Sequence, residues 1–271
     1  MLPGGSKRLL KYDVAPPAPL QVKAAIFTLG GNTVGQALNV TGNIDPVCAM
    51  PSTIGIQSGG LVITPGGGNV RGSPAATAQN VPFPYSIPAL INTLRRGASA
   101  IDAPGTGVFA GTGIFAGTFS SKYNGVQAVA LGVPPTVNPS TGPIISISAP
   151  GTPVTYYSPG DLTLGTPTIN SAYPVNGQGM LLVQGNLTID ITNGFNYFGL
   201  ILVTGNVTMT ANPSTSASSN IHGSIFAGGT FTASALANLS GSIFIHQNAC
   251  MVTNQFYGLP LQILAFRELS Q

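Results

Sequence analysis

Hydrophobic residues in the second half of the chain come in short continuous runs, not at helical spacing. Met180-Leu181-Leu182-Val183 and Leu200-Ile201-Leu202-Val203 each follow a glycine and precede a Gly-Asn pair. Apolar runs of this length between turn signals read as buried strands, and unbroken runs suit parallel sheets covered on both faces. The cover has to come from a helix, from loops or from a partner.

These runs repeat. Leu182 to Ile189 returns as Leu202 to Met209, and Gly223-Ser224-Ile225-Phe226-Ala227 returns as Gly241-Ser242-Ile243-Phe244-Ile245. The motif starts at Gly179, Gly199, Gly223 and Gly241, in steps of 20, 24 and 18 residues. The longest step holds the Ser-rich stretch Asn212 to Asn220. A strand motif at this period marks a chain that winds and stacks on itself.

The expected fold is therefore all-β dominated: a single-stranded parallel β-helix, right-handed by the usual crossover preference, with one short α-helix packed against it. Equivalent residues then stack: Asn186 over Asn206 with amide bonded to amide, Thr188 over Thr208, and Phe226 over Phe244. Leu182 and Leu202 share one interior column, and Leu182, Ile189, Leu202, Phe226 and Phe244 are the expected residues of the stack. Gly185, Asn186, Gly205, Asn206, Gly223 and Gly241 supply the turns, since Gly takes positive φ at no steric cost and Asn tolerates it.

The first half carries shorter strand candidates at residues 24–29, 37–41, 53–57 and 61–64. The one helix runs from Ser86 to about Arg96, with Ile87, Leu90, Ile91 and Leu94 on one face. Ser86 is its N-cap, Pro88 sits in the first turn, and Arg95 and Arg96 complement the carboxyl-end dipole. The tandem Gly105-Thr106-Gly107-Val108-Phe109-Ala110 and Gly111-Thr112-Gly113-Ile114-Phe115-Ala116 lacks the Gly-Lys-Ser/Thr ending of a phosphate loop and reads as a Gly-rich hairpin or loop. The organisation is a basic, Pro-rich arm over 1–22 and a single β-helix domain over 23–271, with a helical and Gly-rich insertion at about 71–142. The arm and the Arg267-Glu268 segment are the candidate caps for the ends of the stack.

Composition narrows the function. Of 271 residues, 9 are Lys or Arg and 6 are Asp or Glu, while 43% are hydrophobic. Disorder is excluded by the apolar content, and nucleic-acid binding by the lack of clustered basic and aromatic residues. No apolar run approaches the ~20 residues of a spanning helix, and no secretory signal is visible. The protein is expected either to be soluble as it stands or to lack an amino-terminal anchor in this chain. Cys48 and Cys250 are too far apart for a local metal knuckle. They are either a disulfide closing a loop of about 200 residues, which would stabilise the fold by roughly 4–5 kcal/mol, or two buried thiols.

Catalytic chemistry is sparse. Asp161 and Asp190 are the only acids placed to converge as a glycosidase pair, and turn or strand-end hydrogen bonding accounts for both. His222 and His246 lack a third partner for a metal or a nucleophile-base arrangement. Tyr156, Tyr157, Tyr173, Tyr197 and Tyr257 are candidates for a sugar-stacking face, with packing as the plainer role. No catalytic, cofactor-binding or metal site is expected.

The runs Gly160-Asp161-Leu162-Thr163-Leu164, Gly177 to Ile189 and Phe195 to Gly205 give the chain a resemblance to the exported part of PilX-like type IV pilus assembly proteins. Asn39-Val40-Thr41-Gly42-Asn43-Ile44-Asp45 through Cys48, Pro51 and Ile54-Gly55-Ile56 fits the same pattern, as does the helix around Leu90 and Leu94. The resemblance runs loosely over residues 24–247; the family's pilin-like hydrophobic helix has no counterpart in this sequence. It implies a non-enzymatic structural or adhesive protein of the bacterial envelope or cell surface. Its partners would be other envelope or pilus-assembly proteins, copies of itself through the coil ends, or a surface glycan. A polysaccharide-binding or -cleaving β-helix (a surface or phage spike) and a bactofilin-like polymerising scaffold are the alternatives.

Overall fold

A computed structural model of the chain describes residues 9–15, 22–43, 51–83, 85–95, 100–103, 108–111, 137–138, 142–143, 154–164, 175–191, 195–210, 219–233, 243–249, 252 and 262–269. The first strands are β1 (Leu9–Ala15), β2 (Ala24–Thr28), β3 (Asn32–Val34), β4 (Leu38–Thr41), β5 (Ile54–Ser58), β6 (Val62–Ile63), β7 (Asn69–Arg71) and β8 (Thr77–Ala78). The helix α1 (Ile87–Leu94) follows, then β9 (Ala100–Ala103), β10 (Val108–Gly111), β11 (Val137–Asn138), β12 (Gly142–Pro143), β13 (Val154–Ser158) and β14 (Leu162–Leu164). The remainder are β15 (Val175–Val183), β16 (Leu187–Asp190), β17 (Phe195–Val203), β18 (Val207–Thr210), β19 (Ser219–Ala227), β20 (Phe231–Ala233), β21 (Ile243–His246) and β22 (Gln262–Leu269).

Among the described residues the architecture is mostly parallel β-sheet with one short helix, α1. A larger sheet follows the order β9-β13-β15-β17-β19-β2-β5-β8, and a second follows β14-β16-β18-β20-β3-β6. The chain alternates between them in tiers: β15 leads to β16, β17 to β18 and β19 to β20, and like tiers pair in register. Leu182 lies opposite Leu202, and Thr188 opposite Thr208.

The turn joining the two sheets has three residues in every tier, and its centre is always glycine: Gly160, Gly185, Gly205, Gly229, Gly30 and Gly60. The reason is proximity. Gly205 N–H donates to Gly185 O at 2.8 Å, Gly229 to Gly205 O at 2.9 Å and Gly30 to Gly229 O at 2.8 Å. A Cβ on Gly205 would lie 2.7 Å from Gly185 O, leaving no room for a side chain between tiers. A second glycine column crosses the middle of the long strands, where Gly179, Gly199 and Gly223 are in register with φ of 118°, 138° and 151°.

Chain order and tier order differ. The tier after β19/β20 is built from both ends of the sequence: β21 pairs with the first half of β19, and β2 pairs with its second half. β3 then lies on β20, and β4, β5 and β6 build the next tier on β21, β2 and β3. This corrects the expected stacking of Phe226 over Phe244. Phe226 is opposite Phe27, and Phe244 is opposite Asn220 and Asn39. Ala25-Ile26-Phe27-Thr28 offers the same apolar pattern as Ser224-Ile225-Phe226-Ala227 and takes the place expected for the Gly241 repeat. Gly241 itself lies outside the described residues.

The junction is riveted by Gln247, only 2% exposed. Its Nε2 donates to Val22 O at 2.9 Å, its backbone N–H donates to Thr41 O at 2.8 Å, and its Oε1 accepts from Thr53 Oγ1. The stretch expected to be an aperiodic arm also contains a strand. β1 runs antiparallel to β22, so the two segments named as candidate caps pair with each other.

Two apolar clusters hold the tiers. Leu181, Val183, Ile201, Val203, Ile225 and Ile26 pack with Leu187, Ile189, Val207, Met209, Phe231 and Val34 between the sheets. Met180, Leu182, Leu200, Leu202, Phe226 and Phe27 belong to the second cluster, with Ile87, Ile91 and Leu94 of α1. Leu182 and Leu202 therefore stack as neighbours, but on the outer face under the helix and not in the interior column. At roughly 1.5–3 kcal/mol per fully buried large side chain, this helix cover is a major term. Ser86 caps α1 through Oγ, accepting from Ala89 N–H at 3.4 Å, and Pro88 occupies the first turn. Arg95 donates to the Tyr157 hydroxyl at 3.1 Å.

The expected insertion at about 71–142 is less separate than the sequence suggests. Ile56-Gln57 pairs with Thr77-Ala78, and Ala100-Ile101 pairs with Tyr156-Tyr157, so two stretches of that segment extend the larger sheet, while Val137-Asn138 and Gly142-Pro143 pair separately with each other. Val108–Gly111 forms a hairpin with Ala100–Ala103.

Candidate functional site

The outer face of the second sheet carries a column of threonines. Thr163, Thr188, Thr208, Thr232 and Thr33 share one register across five successive strands, and Ile63 ends the column. Strand alternation explains the placement: residues on either side, such as Leu187 and Ile189, are fully buried in the core, so Thr188, Thr208, Thr232 and Thr33 point outward. The hydroxyls of Thr33, Thr188, Thr208 and Thr232 make no hydrogen bond within the described residues. At about 4.8 Å per tier they form a straight row about 14 Å long.

Beside this row runs a ladder of turn residues. Asn186 N–H donates to Asp161 Oδ1 at 2.7 Å, Asn206 N–H to Asn186 Oδ1 at 2.9 Å, and Thr230 N–H to Asn206 Oδ1 at 2.8 Å. The expected amide-to-amide stacking is corrected here: each side-chain oxygen caps the next tier's backbone N–H, because the third turn residue would otherwise leave that donor open. Amide-to-amide bonding occurs on the larger sheet, from Asn220 to Asn196 and from Asn69 to Asn39, each at 3.1 Å.

The candidate catalytic groups do not converge. Asp161 stands at the start of β14, level with Asn186, and Asp190 ends β16 four positions further on. That is about 13 Å along the strand, beyond the 5–10 Å of a glycosidase pair. His222 and His246 do meet: their rings stack at 5.5 Å, between Phe198 at 5.0 Å from His222 and Phe244 at 5.4 Å from His246. Burial lowers the His246 pKa below its ordinary value. No group of three or more His, Cys, Asp or Glu suited to a metal occurs among the described residues.

Of the five tyrosines, the two whose side chains are described, Tyr157 and Tyr197, are buried in different clusters. Tyr157 lies under α1 and Tyr197 lies in the interior, where burial pushes its phenol pKa up and its hydroxyl has no partner. Tyr173, Tyr257, Cys48 and Cys250 lie outside the described residues, and the side chain of Tyr156 is not described. The turn residues Gly185, Asn186, Gly205 and Asn206 sit at the sheet-to-sheet corner, and Gly223 at the mid-strand column. Leu182, Ile189, Leu202 and Phe226 are buried and Phe244 is half-buried.

Sequence reasoning missed one feature. A cleft of about 320 Å³ opens where the segment before α1 crosses β2 and β5, lined by Lys23, Ala24, Phe27, Gln57, Val81, Pro82, Phe83, Tyr85 and Phe226. Phe83 stacks on Phe27 at 4.1 Å and meets Phe226 at 5.3 Å and Tyr85 at 5.4 Å. The available signal was Phe83-Pro84-Tyr85 immediately ahead of the helix cap, an aromatic pair in a stretch otherwise read as loop. No described helix is long and apolar enough to cross a membrane. No protein-family model, curated protein or solved structure matches the chain.

Proposed function

We propose that the chain is a right-handed parallel β-helix, and that it serves as a non-enzymatic structural or adhesive protein of the bacterial envelope or surface, of the PilX-like pilus-associated kind. The observation that carries this reading is the row of unpaired threonine hydroxyls, held in register beside the Asp161-Asn186-Asn206 ladder. A rigid, flat, sparsely charged face of repeating hydroxyl groups is suited to lying against another regular surface. The sparse charge of the whole sequence, 15 of 271 residues, points the same way. Partners of matching regularity are another envelope or pilus-assembly protein or a surface glycan. The test is to replace Thr188, Thr208 and Thr232 together with lysine and restore this protein to cells lacking it. Loss of pilus number or surface attachment with normal protein levels supports the reading; wild-type piliation and attachment oppose it.

A second reading has its own observation. The second sheet ends at β6, where Leu61 and Ile63 are 64% and 54% exposed beside an edge. An apolar edge without a charge to guard it favours end-to-end association, as in the bactofilin-like scaffold. Filaments of the purified protein that disappear in Ile63→Lys support that alternative.

A further inference from the structure

The geometry points to a small-molecule site in the cleft under the segment before α1, for a planar ring that carries a carboxylate. This inference stands independently of the surface role proposed above. The cleft's volume of about 320 Å³ is at the low end of the range for ligand pockets, enough for one or two fused rings. Three phenylalanines and Tyr85 supply aromatic walls, which favour a flat partner through offset stacking.

Two polar groups set the chemistry. Gln57 is 9% exposed, projects from the outer face of β5 in register with Phe27, and lines the cleft. Its amide makes no hydrogen bond within the described residues. The amide atoms are open to the cleft, where a ligand can supply the partner that the protein does not. In that outer column Leu182, Leu202, Phe226 and Phe27 are apolar and buried, and Tyr157 at its far end pairs its hydroxyl with Arg95 and Gln184. An apolar residue would complete the packing at position 57, so the amide is available to the cleft. Lys23 stands at the same cleft, exposed and without an acidic partner among the described residues. A carboxylate on the ring answers the ammonium, and its second oxygen or a ring substituent answers the amide.

The probe is 2-naphthoate against the uncharged 2-naphthamide, measured on the full chain by ligand-observed NMR and calorimetry. Saturable binding of the acid is expected, about 5-fold tighter than the amide and about 5-fold weaker in Lys23→Ala. Gln57→Leu is expected to weaken the acid by about 5- to 10-fold while leaving Tm unchanged, because the amide bonds no described group of the protein. A merely structural Gln57 would lower Tm in that variant and leave affinity alone. Absence of saturable binding by the acid, equal binding of acid and amide, or unaltered affinity in Gln57→Leu overturns the assignment.

Discussion

Substituting alanine along one glycine column gives opposite outcomes at positions that look identical in sequence. Gly160 and Gly205 each sit at the centre of a three-residue turn between the sheets. A Cβ on Gly160 meets nothing within 4 Å, whereas on Gly205 it would lie 2.5 Å from Asn186 Oδ1 and 2.7 Å from Gly185 O. Neither glycine has the positive φ that would penalise alanine by itself. The difference is therefore stacking alone. In Gly205→Ala the two turns must separate, which strains the packing by about 1–3 kcal/mol and weakens the Asn206 N–H to Asn186 Oδ1 bond, worth about 1 kcal/mol. Gly160→Ala should stay within about 0.5 kcal/mol of the parent. The expected loss for Gly205→Ala is about 2–4 kcal/mol, or roughly 5–15 °C in Tm, read by thermal and urea denaturation followed by circular dichroism. Equal stabilities for the two variants would mean that the turns do not lie one on the next.

Gln247→Leu should cost about 2–4 kcal/mol in urea unfolding, because Val22 O and Thr53 Oγ1 lose a buried partner where the two chain ends meet. Ile91→Ala opens a cavity under α1 and should cost about 2–4 kcal/mol; a loss below 1 kcal/mol would show that the helix does not cover Leu182 and Leu202. His246 titrates below its ordinary value in the folded chain because of burial. Its neutral form is thus favoured by folding: the contribution is complete above about pH 6.5, the unfolded value, and is lost as pH falls through the folded value. His246→Phe should flatten the urea midpoint across that acid window, and an unchanged slope would assign the dependence elsewhere.

The parallel pairing of residues 180–210 was legible because the repeat there is local: twenty residues bring Leu182 to Leu202 and Thr188 to Thr208 without any intervening choice. The helix was legible for the same reason, from Ser86, Pro88 and its single apolar face. The tier shared by β21 and β2 was not. Ile243-Phe244-Ile245-His246 matches two segments of β19, Ser224-Ile225-Phe226-Ala227 by its aromatic and Ser219-Asn220-Ile221-His222 by its histidine, and sequence similarity alone favoured the wrong one. The competitor that decides it, Ala24 to Thr28, lies about 200 residues away in sequence, where no local signal reaches. The cleft was hidden likewise, because Gln57 and Phe83 come together only after β2 has stacked on β19.

The sharing of one tier by both ends of the chain is the central claim, and a cross-linking measurement tests it directly. Thr33 and Thr232 are paired in register on adjacent strands, outward-facing and 199 positions apart in sequence. Parallel neighbours are spaced about 4.8 Å, inside the Cα range a disulfide spans. The double variant Thr33→Cys/Thr232→Cys, oxidised and digested, should yield the linked peptide in high proportion by mass spectrometry. Thr33→Cys/Thr188→Cys, three tiers apart at about 14 Å, should yield none. Linkage in the second variant and not in the first would contradict the account.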